Sequence, residues 1–371
     1  MNDDLNESDL ERRTAERETK GKRNTTTGRH EATGVGTRLT VLEVCAGGGG
    51  QAIGLHRAGF DHQALVEIDR NAVETLRLNG ERLGWWSAQN VHCASLIGWH
   101  PPPATRVDLI AGGVPCPPFS IAGAQLGASD DRDLFPAFLD LVDEVRPTAV
   151  MIENVRGLLT KKFDTYRAEI LCRLESLGYC AEWALIEAHE FCVPQLRPRS
   201  VLVGAKPSIW TLFEWPAASS AHTPSVGEAL HDMMASRGWS GAAAWRDRAT
   251  GIAPTLVGGS HKHGGADLGP SRAKQAWLEK LGVNGISLAD DAPPKDFIGA
   301  PRLTVEMAAV IQGFPADWEF VGGKTARYRQ IGNAFPPPVA EAVGVQIHRA
   351  IQAWPKEANY PLQRKERNNE R

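Results

Sequence analysis

A chain of 371 residues exceeds what one hydrophobic core usually supports, so two lobes are expected. Hydrophobic residues at 42% and charged residues at 23% describe an ordinary globular protein. The formal net charge of −3 means that any nucleic acid must be held by a local basic surface, not by overall charge. No long apolar span or signal peptide is present, and the six cysteines (45, 93, 116, 172, 180 and 192) form no CxxC pair. A membrane protein, a disulfide framework and a cysteine-based zinc site are thereby excluded, and a reducing, cytoplasmic home is predicted.

Residues 1–37 are crowded with charged side chains and nearly lack large apolar ones, which predicts a disordered leader. Order is expected from Leu39–Val44, a β-branched strand that runs into Ala46-Gly47-Gly48-Gly49-Gly50 and then a helix from Gln51. A second strand, 63–69, carries Glu67-Ile68-Asp69 at its end, and a helix over 71–78 follows. Strand, glycine turn, helix, strand and acid in this order read as a nucleotide-cofactor half-site. The glycines let the backbone approach the ligand, and the acid about twenty residues on binds ribose hydroxyls.

The next predicted strand, 107–110, enters Ala111-Gly112-Gly113-Val114-Pro115-Cys116-Pro117-Pro118-Phe119-Ser120. Prolines and glycines fix this backbone around one thiol, at the strand end where open α/β sheets place their chemistry. Cys116 is therefore a candidate nucleophile, the alternative being a small buried hydrophobe. A helix around 134–145 and a strand at 149–152 lead to Glu153-Asn154-Val155, a carboxylate on the same sheet edge. A helix near 165–177 and strands near 181–188 and 200–204 complete the alternation, with Gln195-Leu196-Arg197-Pro198-Arg199 before the last strand. This spacing predicts an α/β fold with a mostly parallel sheet covered on both faces.

Between 205 and 300 apolar periodicity fades, tryptophan and glycine increase, and charge is balanced. A second, smaller, loop-rich domain is expected there. His261 and His263 have no cysteine or acid at ligand spacing, so no metal is predicted. Regular structure resumes with a helix at 303–311, N-capped by Thr304 and stopped by Gln312-Gly313-Phe314-Pro315. Arg329-Gln330-Ile331-Gly332-Asn333-Ala334-Phe335 and a helix opened by prolines 336–338 follow, then a polar tail from 356.

In combination these stretches resemble the DNA cytosine-5 methyltransferase family, from about Leu39 to Ile351 but excluding most of 205–300. Glu43 to Gly50 is similar to the family's S-adenosylmethionine loop, Glu67-Ile68-Asp69 to its ribose-binding acid, and Pro115-Cys116 to its nucleophile loop. Glu153-Asn154-Val155 matches the acid motif, 195–199 the Gln-x-Arg-x-Arg motif, and 329–334 the last motif, which completes the cofactor pocket. Thr255-Leu256 fits the family's Thr-plus-aliphatic pair. Departures are Cys45 where an aromatic residue is usual, Pro117 after the catalytic cysteine, and no acid near Ala94 or Ser95.

The resemblance implies a Rossmann-like methyltransferase fold. Residues 38–204 and 301–355 would form the catalytic domain, and 205–300 a target recognition domain. It implies S-adenosylmethionine bound by Cys45, Ala46, Gly47, Gly49, Gly50, Glu67, Ile68, Asp69, Pro115, Asn333 and Ala334. Cys116 would attack cytosine C6, with Glu153, Arg199 and Arg197 as its catalytic partners. Phe119, Ser120, Gln195, Thr255 and Leu256 would contact a flipped base or its double-stranded DNA. A monomer is implied, with a cognate restriction endonuclease acting separately. A tRNA cytosine-5 methyltransferase shares these motifs, and a nicotinamide-dependent oxidoreductase would share the glycine turn and Glu67 but leaves Cys116, Glu153 and the arginines unexplained.

Overall fold

The structure, a computed structural model, describes residues 37–115, 133–259 and 265–355. The predicted leader, the tail from 356, Cys116, Phe119, Ser120 and the two histidines 261 and 263 lie outside the described residues.

One sheet contains β1 (Leu39–Val44), β2 (Phe60–Glu67), β3 (Val91–Cys93), β4 (Leu109–Gly112), β5 (Ala149–Val155), β6 (Cys180–Glu187) and β7 (Pro198–Ala205). Its spatial order is β3-β2-β1-β4-β5-β7-β6. All neighbouring pairs are parallel except those of β7, which runs against both β5 and β6. The helices are α1 (Gly50–Arg57), α2 (Arg70–Leu83), α3 (Phe135–Val145), α4 (Asp164–Ser176), α5 (Pro207–Trp210), α6 (Val226–Ala235), α7 (Ala242–Arg248), α8 (Ser271–Leu281), α9 (Val305–Ile311), α10 (Lys324–Asn333) and α11 (Pro337–Ala353).

Strict alternation along the central strands covers both faces. Val41, Leu109 and Met151 pack with Val339, Val343 and Ile347 of α11 on one face. Leu42, Ile110 and Ile152 pack with Phe138 and Val142 of α3 and Leu174 of α4 on the other. These faces bear out the mostly parallel α/β sheet. The predicted Thr304 cap is also present, its hydroxyl accepting from the Met307 N–H.

Residues 205–300 are more helical than their composition suggested, with α5 to α8 joined by long irregular connections. Trp239, Trp245 and Trp277 are core-forming: Trp277 is fully buried, and the Trp245 indole donates to the Leu281 carbonyl at 3.0 Å. A continuous cluster joins them to Met307, Ile311 and Tyr328 of α9 and α10, and onward to Leu76 of α2. Apolar periodicity faded there because seven- to eleven-residue helices offer only short apolar stripes.

Helix α1, which carries the glycine turn into the sheet, lies directly on α11. A Cβ built at Gly54 would stand 2.5 Å from the Pro337 carbonyl oxygen and from the Glu341 nitrogen, so only hydrogen fits. Alanine gains about 1 kcal/mol of helix propensity over glycine. Overpacking against backbone costs about 3 kcal/mol and outweighs that gain. Gly54→Ala should therefore lose about 2 kcal/mol of stability in urea unfolding. An unchanged or raised midpoint would show that the helices can separate freely.

Candidate active site

A cavity of about 580 Å³ opens at the C-terminal edge of β1, β2 and β4. Of the residues expected to hold a cofactor, Cys45, Ala46, Gly47, Gly50, Glu67, Ile68, Asp69, Pro115, Asn333 and Ala334 line it. Gly49 does not. It is the residue before α1, with φ +91°, and it faces Trp318 on the far side of the turn.

The glycine turn is tied to the second strand by one carboxylate. Glu67 accepts from the Gly47 N–H at 2.8 Å through one oxygen and from the Ile68 and Asp69 N–H groups through the other. A carboxylate has about four acceptor positions, so capacity for a hydroxyl remains. Burial pushes the Glu67 carboxyl up, and the three backbone donors pull it part of the way back. Asp69 caps α2, accepting from Asn71 and Ala72. Cys45 adopts φ 52°, and burial, with Glu67 and Glu43 nearby, pushes its thiol up to about 12. It therefore presents a neutral thiol to the cavity. Ile68 is 68% exposed although it is a large apolar side chain at the cavity wall, which leaves it available to cover a planar ligand.

Glu153 lies at the adjoining edge, and β7 explains its partner. Because β7 is antiparallel, its first residues reach the edge where the parallel strands end, with Arg199 opposite Val155 and Val201 opposite Glu153. The Arg199 Nε stands 2.7 Å from Glu153 Oε1, with both side chains about nine-tenths buried. Burial raises the Glu153 carboxyl, and the positive charges of Arg199 and Arg197 partly counter it. Burial therefore favours the protonated form of this carboxyl more than an exposed glutamate would, while the guanidinium beside it opposes that shift. Asn154, beside it, donates to the Val114 carbonyl at 2.6 Å and so fixes the backbone that leads to Pro115 and Cys116. The Leu134 N–H donates to the Pro115 carbonyl.

Arg197 and Gln195 are placed differently from Arg199. Arg197 is fully buried, and its guanidinium donates to the carbonyls of Leu256 (2.8 Å), Gly332 (2.7 Å) and Ala334 (2.9 Å) and to Gln195 Oε1 (3.3 Å). Gln195, also fully buried, accepts from the Leu256 N–H and donates to Gln312 and the Ile311 carbonyl. Neither lines the cavity. Both belong to a structural tie, in which a fully buried guanidinium takes backbone carbonyls as acceptors. Leu256 is buried in the same tie, and Thr255 donates to the Leu196 carbonyl from a more open position.

Sequence reasoning missed Gln51 and Phe335 in the cavity wall and Gln312 in the tie, and it gave Gln330 only as part of the last motif. A lone glutamine in a helix carries no signal of what it faces. Among the described residues, no group of three potential metal ligands occurs and no helix is long and apolar enough to cross a membrane.

The profile of the family described as C-5 cytosine-specific DNA methylase matches residues 39–349. The chain is similar to the Type II methyltransferase M.NaeI of Lentzea aerocolonigenes, at 54% identity over 84% of this chain and 75% of that protein. It is also similar to the Type II methyltransferase M.NgoMIV of Neisseria gonorrhoeae, at 49% identity over 85% of this chain and 99% of that protein. Among solved structures, a prophage-encoded DNA modification methyltransferase of E. coli aligns with TM-score 0.58 at 22% identity, covering 85% of this chain and 99% of its own. The S. pombe Dnmt2 methyltransferase aligns with TM-score 0.53 at 16% identity, over 87% of this chain and 100% of its own. At these identities the two structures bear on the fold alone.

Removing the Arg199 charge should raise the Glu153 carboxyl further, since that guanidinium is the nearest influence lowering it. In Arg199→Met the protonated-carboxyl infrared band, identified by its loss in Glu153→Gln, should persist to higher pH than in the parent protein. A midpoint that does not move would refute the electrostatic link.

Proposed function

This chain belongs to the C-5 cytosine-specific DNA methylase family, and we propose that it modifies one cytosine within a specific double-stranded DNA sequence, using S-adenosylmethionine held in the 580 Å³ cavity. It is a DNA cytosine-5 methyltransferase by family. The observation that carries the finer reading is the shared sheet edge. The cavity wall at Pro115, the residue before Cys116, continues to Glu153 and its Arg199 partner.

The cavity fits the cofactor. A side chain built at Gly47 would meet nothing within 4 Å, so the turn faces open space. The volume lies within the range of small-molecule pockets. Glu67 retains acceptor capacity for ribose hydroxyls, Ile68 offers an exposed apolar face to a purine, and Asn333 and Ala334 close the opposite wall. When bound, S-adenosylmethionine supplies an electrophilic methyl group.

Cytosine C5 is a poor nucleophile, so the protein must first activate the ring. In this proposal the Cys116 thiolate adds to C6, which builds electron density at C5. Glu153 holds a proton at N3 as charge develops on the ring, a role suited to a carboxyl raised by burial. Arg199 donates to the pyrimidine O2 and stabilises the activated ring, while its Nε, 2.7 Å from Glu153 Oε1, keeps that carboxyl oriented. Arg197 supplies nearby positive charge and holds the pocket wall. Once C5 carries its new substituent, water takes the C5 proton, the C5–H electron pair re-forms the C5–C6 double bond, Cys116 leaves as the thiolate, and the N3 proton returns to Glu153.

A ring atom inside a stacked duplex is out of reach of this recess, so the base is flipped out at a cost of a few kcal/mol. Residues 205–300 act as the target recognition domain and read base edges in the major groove, and Phe119, Ser120 and Thr255 are assigned contacts with the base or its DNA, with the buried Leu256 supporting Thr255. The names of the two Type II relatives support a place in a restriction–modification system, in which this monomer protects the sites that a separate endonuclease cuts.

Transfer of labelled methyl from S-adenosylmethionine to unmethylated duplex DNA tests the proposal. Cys116→Ala should lose at least about three orders of magnitude in rate. Glu153→Gln should lose about two to four. Label that enters only tRNA would overturn the DNA reading, and a Cys116→Ala protein with parental activity would overturn the mechanism.

A further inference from the structure

The glycine turn has two faces, and only one of them meets the cavity. Gly47 and Gly50 line it, whereas Gly48 and Gly49 do not. The hidden face lies against a segment that returns from far along the chain, residues 314–323, between α9 and α10. A Cβ at Gly49 would stand 2.6 Å from the Trp318 ring, and one at Gly48 would stand 2.9 Å from Gln330 Cβ and 3.2 Å from Phe320. The Trp318 indole N–H donates to the Gly48 carbonyl at 3.0 Å, in a fully buried position. Two adjacent peptide units of the turn are thus held from behind by one side chain that never reaches the cavity.

That segment is itself fastened to α2. Asn79 pairs with the backbone of Glu319, donating to its carbonyl at 2.7 Å and accepting from its N–H at 3.0 Å. The Thr75 hydroxyl accepts from the Val321 N–H and donates to Gln330 Oε1. Trp318 also contacts Trp85 and Trp86, with ring centroids 6.0 and 6.3 Å away. The ring is therefore fixed before it engages the turn, which is the condition for a side chain to dictate the place of a backbone.

We infer that Trp318 is a positioning residue for the cofactor. By holding the Gly48 carbonyl and filling the space behind Gly49, it sets the orientation of the Gly47 N–H and the Gly50 backbone on the front. This inference rests on the proposed use of the cavity for S-adenosylmethionine. It further assigns Gly48 and Gly49 to the close approach of Gln330, Phe320 and Trp318, and leaves Gly47 and Gly50 as the members of the run that meet the ligand.

Calorimetric titration of the full chain with S-adenosylmethionine, and separately with unmethylated duplex DNA, tests it. Trp318→Phe keeps most of the ring and removes the donor, so its S-adenosylmethionine Kd should rise about fivefold, the worth of one neutral hydrogen bond. DNA affinity should stay within about twofold, because the change is transmitted only to the turn. Asn79→Ala, which loosens the segment at a distance from the cavity, should shift the same constant in the same direction. A lower Tm with both affinities unchanged, or an equal loss of both, would assign Trp318 to packing alone and overturn the inference. A parent protein that binds DNA but not S-adenosylmethionine would instead overturn the use of the cavity itself, and this inference with it.

Discussion

A guanidinium with no access to water must find a partner for its N–H groups, and Arg197 sets that constraint at the centre of this molecule. Besides its neighbour Gln195, its acceptors come from two distant stretches: Leu256 in the long insert, and Gly332 and Ala334 at the end of α10. Each carbonyl turned toward Arg197 is one that cannot turn elsewhere without leaving a charge buried and unpaired, at a cost of several kcal/mol. The consequences run outward. Ala334 is held where it forms cavity wall, and Gln312 donates to the same Ala334 carbonyl from the end of α9. Glycine at 332 lets residues 257 and 258 lie directly against α10, since a Cβ there would stand 2.4 Å from the Gly258 nitrogen.

The two arginines of one short motif therefore carry different loads. Residues 197 and 199 stand two apart at the start of a strand. Arg199 turns to Glu153, whereas Arg197 turns to the carbonyls. Their chemistry is identical, and both owe their place at this edge to the direction of β7. An antiparallel strand begins where its parallel neighbours finish, so its first residues share an edge with Glu153. A parallel β7 would have carried both arginines to the opposite end of the sheet.

Much of this was readable from the residues. The strand Leu39–Val44 has the bounds that its β-branched run suggested, and Glu67 ends its strand as an acid opposite the glycine turn. The Thr304 cap was evident from a short hydroxyl side chain ahead of an apolar helical run. Other features left no local trace. The three-residue strand β3 is too short for a period of two to register. Helix α10 was hidden because KTARYRQIGN has a weak apolar stripe, its buried Tyr328 and Ile331 being covered by tertiary packing. The direction of β7 cannot be seen in a strand's own sequence. Trp318 looked like any aromatic residue near a turn, because its partner, the Gly48 carbonyl, is 270 residues away.

That separation has a consequence for how the protein is made. The glycine turn leaves the ribosome some 270 residues before the side chain that backs it. Until residues as far as Phe335 have emerged, Gly48 and Gly49 lack their rear wall and the cavity lacks Asn333 and Ala334. Contacts this distant in sequence form late, since the loop entropy must be overcome before they stabilise anything. A chain released before that point therefore carries the glycine run and Glu67 without a finished cavity. Completion of the cavity thus waits on side chains some 270 positions beyond the turn that they back.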